Sequence, residues 1–200
     1  MKIGGMLKLG VVLALFAAAA CVGLAFVYTA TEKTIAGRSQ VDLEAALKDL
    51  FPSADGFKDI TGAIESPEST ILFDSEYEIR RGDELLGAAI QASGPSYAGP
   101  IVVLVGIGTD GKISGAKILE HKDTPGLGAN AASAAYFVDK AAGLTFYGQF
   151  AGKPVSDPFE VKNDIVAITA STITSRAVST VVKTAGTAAA AWLAAQGGAE

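Results

Sequence analysis

The sequence predicts an α+β protein: one N-terminal transmembrane helix, then a small, largely antiparallel sheet flanked by helices. Three observations carry this. Leu9 to Tyr28 is an uncharged, mostly apolar run. Residues 71–119 hold short β-rich runs punctuated by Arg81-Gly82-Asp83 and Asp110-Gly111. The C-terminal stretch from Arg176 to Gln196 is Ala-rich and free of Pro. Strands in succession followed by a helix favour antiparallel pairing over alternating parallel units.

The apolar run is long enough to cross a bilayer core, since 20 helical residues span about 30 Å. A cleaved signal peptide competes, with Ala17-Ala-Ala-Ala20 as its cleavage region. Apolar residues continue past that point through Val22, Leu24, Phe26 and Val27, which favours an uncleaved span. Cys21 reads as a small apolar residue within it; a lipidation site is the weaker alternative. Lys2 and Lys8 precede the run, and Lys33 and Arg38 follow it, a count that leans toward a cytoplasmic N-terminus. The expected organisation is an anchor over 1–30, a helix and linker over 31–70, and a folded domain over 71–200.

Composition narrows the function. The net charge is −5, and only Lys2 and Lys8 are charged among the first 30 residues, so the domain is more acidic still. Nucleic-acid binding needs clustered Lys and Arg and is not expected. One Cys excludes an internal disulfide and a Cys-held iron–sulfur cluster, and one His excludes a His-rich metal site. No Ser-His-Asp or Cys-His set is evident.

The elements follow in order. Val41 to Phe51 reads as a helix closed by Pro52. Residues 52–70, rich in Pro, Ser, Gly and acids, read as a loop. Ile71 to Ile79 and Glu84 to Ala92 form a hairpin; Ile101 to Ile107 and Ile113 to Leu119 form a second, turned at Asp110-Gly111. Ala129 to Ala142 reads as a helix. Ile165 to Ile168 reads as a short strand entering the C-terminal helix.

Three segments can carry chemistry. In Thr169-Ala-Ser-Thr-Ile-Thr-Ser175, five of seven residues bear a hydroxyl. At a helix entry such residues serve as N-caps, or they surround a phosphate held by free N–H groups and the helix dipole. Glu120-His-Lys-Asp-Thr-Pro-Gly-Leu-Gly128 is an ordinary turn, or a loop whose glycines let the backbone approach a flat ligand. His121 within it is a surface residue or a proton carrier. In Gly94-Pro-Ser-Tyr-Ala-Gly-Pro-Ile101, Tyr97 packs on the core or lines a pocket.

Together these segments resemble the G subunit of the Rnf electron-transport complex. More broadly they are similar to flavin-binding domains shared with the C subunit of the sodium-pumping NADH:quinone reductase. Tyr97-Ala-Gly-Pro-Ile101, Val105-Gly-Ile-Gly-Thr-Asp-Gly-Lys-Ile113, His121 to Gly128, Phe150-Ala-Gly152 and Ile168 to Val178 carry the likeness, together with the single N-terminal span. The resemblance implies a membrane-anchored flavoprotein subunit of an ion-translocating ferredoxin:NAD oxidoreductase, relaying electrons through covalent FMN without turning over a substrate itself. It places the FMN phosphoester on Thr172, with Thr169, Thr174 and Ser175 on the motif's other hydroxyl positions. It lays Thr124, Pro125, Gly126, Leu127 and Gly128 against the flavin. It implies a flavin transferase that installs FMN from FAD, neighbouring membrane and redox subunits, and membrane lipid as partners. It puts the protein in the cell inner (plasma) membrane as a single-pass chain with the flavin domain outside. Ala170 and Ser171 stand where the family usually has Gly and Ala, and Asp123 where it usually has Glu; Ser171 is therefore an alternative attachment site. Two other readings are compatible with the same residues: a membrane-anchored flavin-binding regulatory or sensory module, and the quinone reductase's C subunit.

Overall fold

The computed structural model describes residues 3–197. Lys2, and the side chains of Lys33 and Arg38, lie outside the described residues. The chain divides into two units, Met1–Asp42 and Leu43–Glu200.

The first unit is helical throughout its described part, within α1 (Ile3–Leu50). Gly4–Glu32 is long and apolar enough to cross a membrane. Leu13, Phe16, Val22, Leu24 and Phe26 are all exposed along this helix, a contiguous apolar surface. The two helices expected at Leu9–Tyr28 and Val41–Phe51 are thus one element. No Pro interrupts residues 29–40. The Thr29 and Thr31 hydroxyls are satisfied inside the helix, donating back to the carbonyls of Ala25 and Val27.

The second unit is built on a five-stranded antiparallel meander. Its strands are β1 (Gly56–Asp59), β2 (Leu72–Arg81), β3 (Glu84–Pro95), β4 (Pro100–Gly108) and β5 (Ile113–Glu120). Gly82 turns β2 into β3 at φ 57°, and Gly111 turns β4 into β5 at φ 72°, a region glycine enters without steric cost. β4 is covered on both faces, which explains its unbroken apolar run. Ile101, Val103, Val105 and Ile107 pack toward Val178, Val181, Val182 and Ala185 of α2 (Thr172–Gly197). Leu104 points the other way, into a smaller cluster with Leu43, Ala46, Leu47 and Phe51. Gly106 is the close-approach point on that face: a Cβ there would lie 2.8 Å from the Phe51 ring.

Four expectations are corrected. The loop expected over 52–70 contains β1, whose Gly56 to Asp59 pair with Arg80 back to Tyr77. The helix expected over Ala129–Ala142 is absent. In its place stand one 3-10 turn, Gly128–Ala132, and a strand β6 (Phe137–Asp139) that pairs with β7 (Leu144–Thr145). Side chains there bind the backbone instead of leaving it to a helix. Asn130 Nδ2 donates to the Gly126 carbonyl, Ser133 Oγ accepts from Ala135 N–H, and Asp139 accepts from Ala141 and Ala142 N–H. Ile165–Ile168 is no strand: a single bridge joins Ile165 to Val161, although Ile165 and Ile168 are fully buried. Finally, α2 begins at Thr172, four residues before the expected start.

Candidate functional site

α2 starts in the middle of the hydroxyl cluster, so the cluster divides by direction. Ser171 is the residue before the helix, and its carbonyl accepts from Ser175 N–H at 3.0 Å. Ser175 Oγ is fully committed: it donates to the Ser171 carbonyl at 2.9 Å and accepts from Ile168 N–H at 3.0 Å. Thr174 turns inward too, donating to Asp123 Oδ2 at 2.8 Å. The hydroxyls of Ser171, Thr172 and Thr169 have no hydrogen-bond partner among the described residues. No described side chain caps the first turn there, so the N–H groups of Thr172, Ile173 and Thr174 keep their capacity for an outside acceptor. Ala170 sets the entry at φ 59°, the left-handed region that glycine favours.

Beside this helix start is a cavity of about 440 Å³, within the range of small-molecule sites. Thr124, Leu127, Gly128, Ser171, Thr172 and Thr174 line it, so two segments marked by the sequence converge. Pro125, Gly126, Thr169 and Ser175 do not line it. Gly126, at φ 79°, shapes the loop, and Thr169 is exposed, its N–H donating to the Tyr136 hydroxyl at 3.2 Å. His121 is also outside the lining.

Asp123 organises the junction, a role that sequence reasoning misses. It is 6% exposed. Its carboxylate accepts from Thr174 Oγ1, from Ala98 N–H at 3.1 Å and from Ser96 Oγ at 3.4 Å. One group thus ties the β3–β4 turn, the Thr124–Gly128 loop and the helix start together. Gly128 fits only because it lacks a side chain: a Cβ would lie 2.6 Å from both Asp123 Oδ2 and Thr174 Oγ1. Among the described residues, Asp123 is the one charged group lining the cavity. The cation in closest helical register to Thr172 is Arg176, one turn along α2, where i and i+4 side chains are neighbours. The family motif marks Asp123 as a position, but its contact with Thr174, 51 positions away, is exposed in advance only by a signal linking distant segments.

The arrangement has the groups that a phosphorylated ligand would need. Ser171 and Thr172, whose hydroxyls have no partner among the described residues, line the cavity at the helix start, and Leu127 adds an apolar side chain. Together these features have the form of a ligand-binding domain joined to a helix able to cross a membrane. Residues 96–187 match the FMN-binding domain family, and residues 1–50 match the RnfG N-terminal region. The chain is 32% identical over 189 residues to the G subunit of the Na(+)-translocating ferredoxin:NAD(+) oxidoreductase complex of Acetobacterium woodii, covering 86% of each protein. It is 32% identical over 169 residues to the proton-translocating counterpart of Clostridium ljungdahlii, covering 81% of this chain and 80% of that protein. With the G subunit of the ion-translocating oxidoreductase complex of Cereibacter sphaeroides it shares 35% identity over 123 residues, 60% of this chain and 55% of that protein. The chain belongs to the family of Rnf G subunits and is a flavoprotein subunit with an FMN-binding domain.

Proposed function

We propose that the protein relays electrons within a ferredoxin:NAD oxidoreductase complex of the membrane, through an FMN esterified to Thr172. Residues 1–30 form the anchor, and the flavin domain lies on the extracytoplasmic side. The observation that carries the reading is the position of Thr172: first residue of α2, with an unpartnered hydroxyl lining the cavity that Leu127 and Gly128 also line.

FMN supplies the redox chemistry; the chain supplies position and electrostatics. In attachment from FAD by a flavin transferase, the Thr172 oxygen displaces AMP at the flavin's phosphorus, and the hydroxyl proton leaves. The N–H groups of the first turn would hold the ester's anionic oxygen at the positive end of the helix dipole. Ser171 Oγ would donate to the same group. Thr174 and Ser175 act indirectly, fixing the helix start through Asp123 and Ile168. The ester retains the flavin beside its partner subunits, as any tether raises local concentration. The partners proposed are the other membrane and redox subunits of the complex, the transferase and membrane lipid.

The test is intact mass of the full chain produced with a flavin transferase, comparing wild type, Thr172→Ala and Ser171→Ala. One FMN phosphoester in wild type and Ser171→Ala, and none in Thr172→Ala, is expected. An adduct that persists in Thr172→Ala and disappears in Ser171→Ala moves the site to Ser171. A wild-type chain that stays unmodified sinks the reading.

A further inference from the structure

Six large apolar side chains are exposed among the described residues of the second unit: Leu72, Tyr97, Leu127, Phe137, Val166 and Ile173. Three of them, Tyr97, Leu127 and Ile173, line the cavity beside Thr172. They come from three separate segments, the β3–β4 turn, the loop after β5 and the first turn of α2. Tyr97 is the most exposed of the six, at 70%. Water-facing apolar groups that converge on a concave site mark where an apolar ligand surface is buried.

The backbone under Tyr97 is held firmly although its ring is open. Ser96 N–H donates to the Gly99 carbonyl at 3.0 Å, closing the turn. Ala98 N–H and Ser96 Oγ both reach Asp123, the carboxylate that also accepts from Thr174. Tyr97 is therefore flanked by two residues fixed to the same anchor as the helix that starts at Thr172. A rigid backbone with an uncovered aromatic ring is what a preorganised ligand platform requires.

We infer that Tyr97 is an aromatic platform for the isoalloxazine ring, holding it in the cavity with Leu127 and Ile173. The inference rests on the proposed FMN attachment at Thr172 and goes beyond it, because the ester fixes only the phosphate end. A flat, electron-poor tricycle and an electron-rich phenol ring favour offset stacking. Tyr97 is thus a positioning residue for the ring, separate from the group that retains the cofactor.

The experiment uses the full chain produced with a flavin transferase. Intact mass gives FMN per chain, and flavin emission is measured per bound FMN. A phenol ring in contact with oxidised flavin quenches its emission by giving an electron to the excited ring. Emission per flavin is expected to rise severalfold in Tyr97→Leu and in Tyr97→Phe, which keeps the ring shape but is a poor electron donor. It is expected to stay low in Tyr97→Trp, a strong donor. A purely structural role for Tyr97 would not give this order among Phe, Leu and Trp. Equal emission per flavin in wild type, Phe and Leu variants overturns the inference while leaving the Thr172 ester standing. Absence of any adduct on wild type removes both.

Discussion

Asp123 and Thr174 stand 51 positions apart in the chain and meet through a 2.8 Å hydrogen bond in a buried setting. This contact fixes where the Thr124–Gly128 loop sits against the start of α2. It also leaves the Thr174 hydroxyl spent, so that Ser171 and Thr172 present the open hydroxyls to the cavity. Thr174→Val keeps the shape and removes the donor to a buried carboxylate. It is expected to cost about 1.5–3 kcal/mol, the range for a hydrogen bond to a charged group. Urea unfolding gives the value, and amide exchange in residues 124–132 is expected to speed up. Unchanged exchange there would mean that the bond does not hold the loop.

Gly128 sits under the same contact. An added Cβ meets Asp123 and Thr174 side-chain oxygens at 2.6 Å, and the flexible ends of both are already engaged. Gly128→Ala is expected to cost about 1–3 kcal/mol from overpacking. FMN loading by the transferase should fall with it. Gly126→Ala is the informative comparison: nothing lies within 4 Å of its Cβ position, but its φ of 79° is strained for alanine. That variant is expected to lose stability by strain alone, about 1–2 kcal/mol.

Ala170 carries the opposite expectation. It lies at φ 59° immediately before the helix entry, where an L side chain is strained by about 1–2 kcal/mol. Glycine relieves that strain and loses about 0.5–1 kcal/mol in backbone entropy. Ala170→Gly is therefore expected to raise stability by about 0.5–1 kcal/mol, read as a higher urea midpoint at an unchanged slope. A lower midpoint would show that the Ala170 methyl contributes packing that outweighs the strain.

The central sheet is legible in the sequence because its signals are local. Short β-rich apolar runs, unbroken in β4, and the Gly82 and Gly111 turns specify β2 to β5 without reference to distant residues. β1 is not legible, since Gly56-Phe-Lys-Asp59 has little strand character and is held by pairing with Tyr77 to Arg80. Residues 129–142 look helical by alanine content, but Asn130, Ser133 and Asp139 redirect the backbone one bond at a time. In the site, the hydroxyl cluster and the Thr124–Gly128 loop are visible as segments. Which hydroxyls turn inward is not, because Asp123 decides it from another part of the chain. The choice for Tyr97 between core and pocket is likewise open in the sequence; exposure resolves it toward the pocket.

Asp164 predicts how the domain responds to acid. Burial pushes its carboxyl upward, but this is outweighed by the Glu160 N–H, the Lys153 ammonium at 3.1 Å and the Phe159 N–H at 3.2 Å. The net result is a carboxyl held below its ordinary value. These bonds pin a loop in which Phe159 and Lys162 both take positive φ, and they seat the Phe159 ring against Phe150 in the core. A depressed folded-state pKa means that the carboxylate's contribution is complete above the unfolded value of about 3.9. It is lost as pH falls through the lower folded-state value. Asp164→Asn is therefore expected to be less stable than wild type at neutral pH. The gap should close as pH falls below about 3.9, because the wild-type side chain becomes neutral as well. Urea midpoints of both proteins across that range give the comparison. A gap that stays constant into strong acid would mean that shape at residue 164, and not its charge, holds the loop.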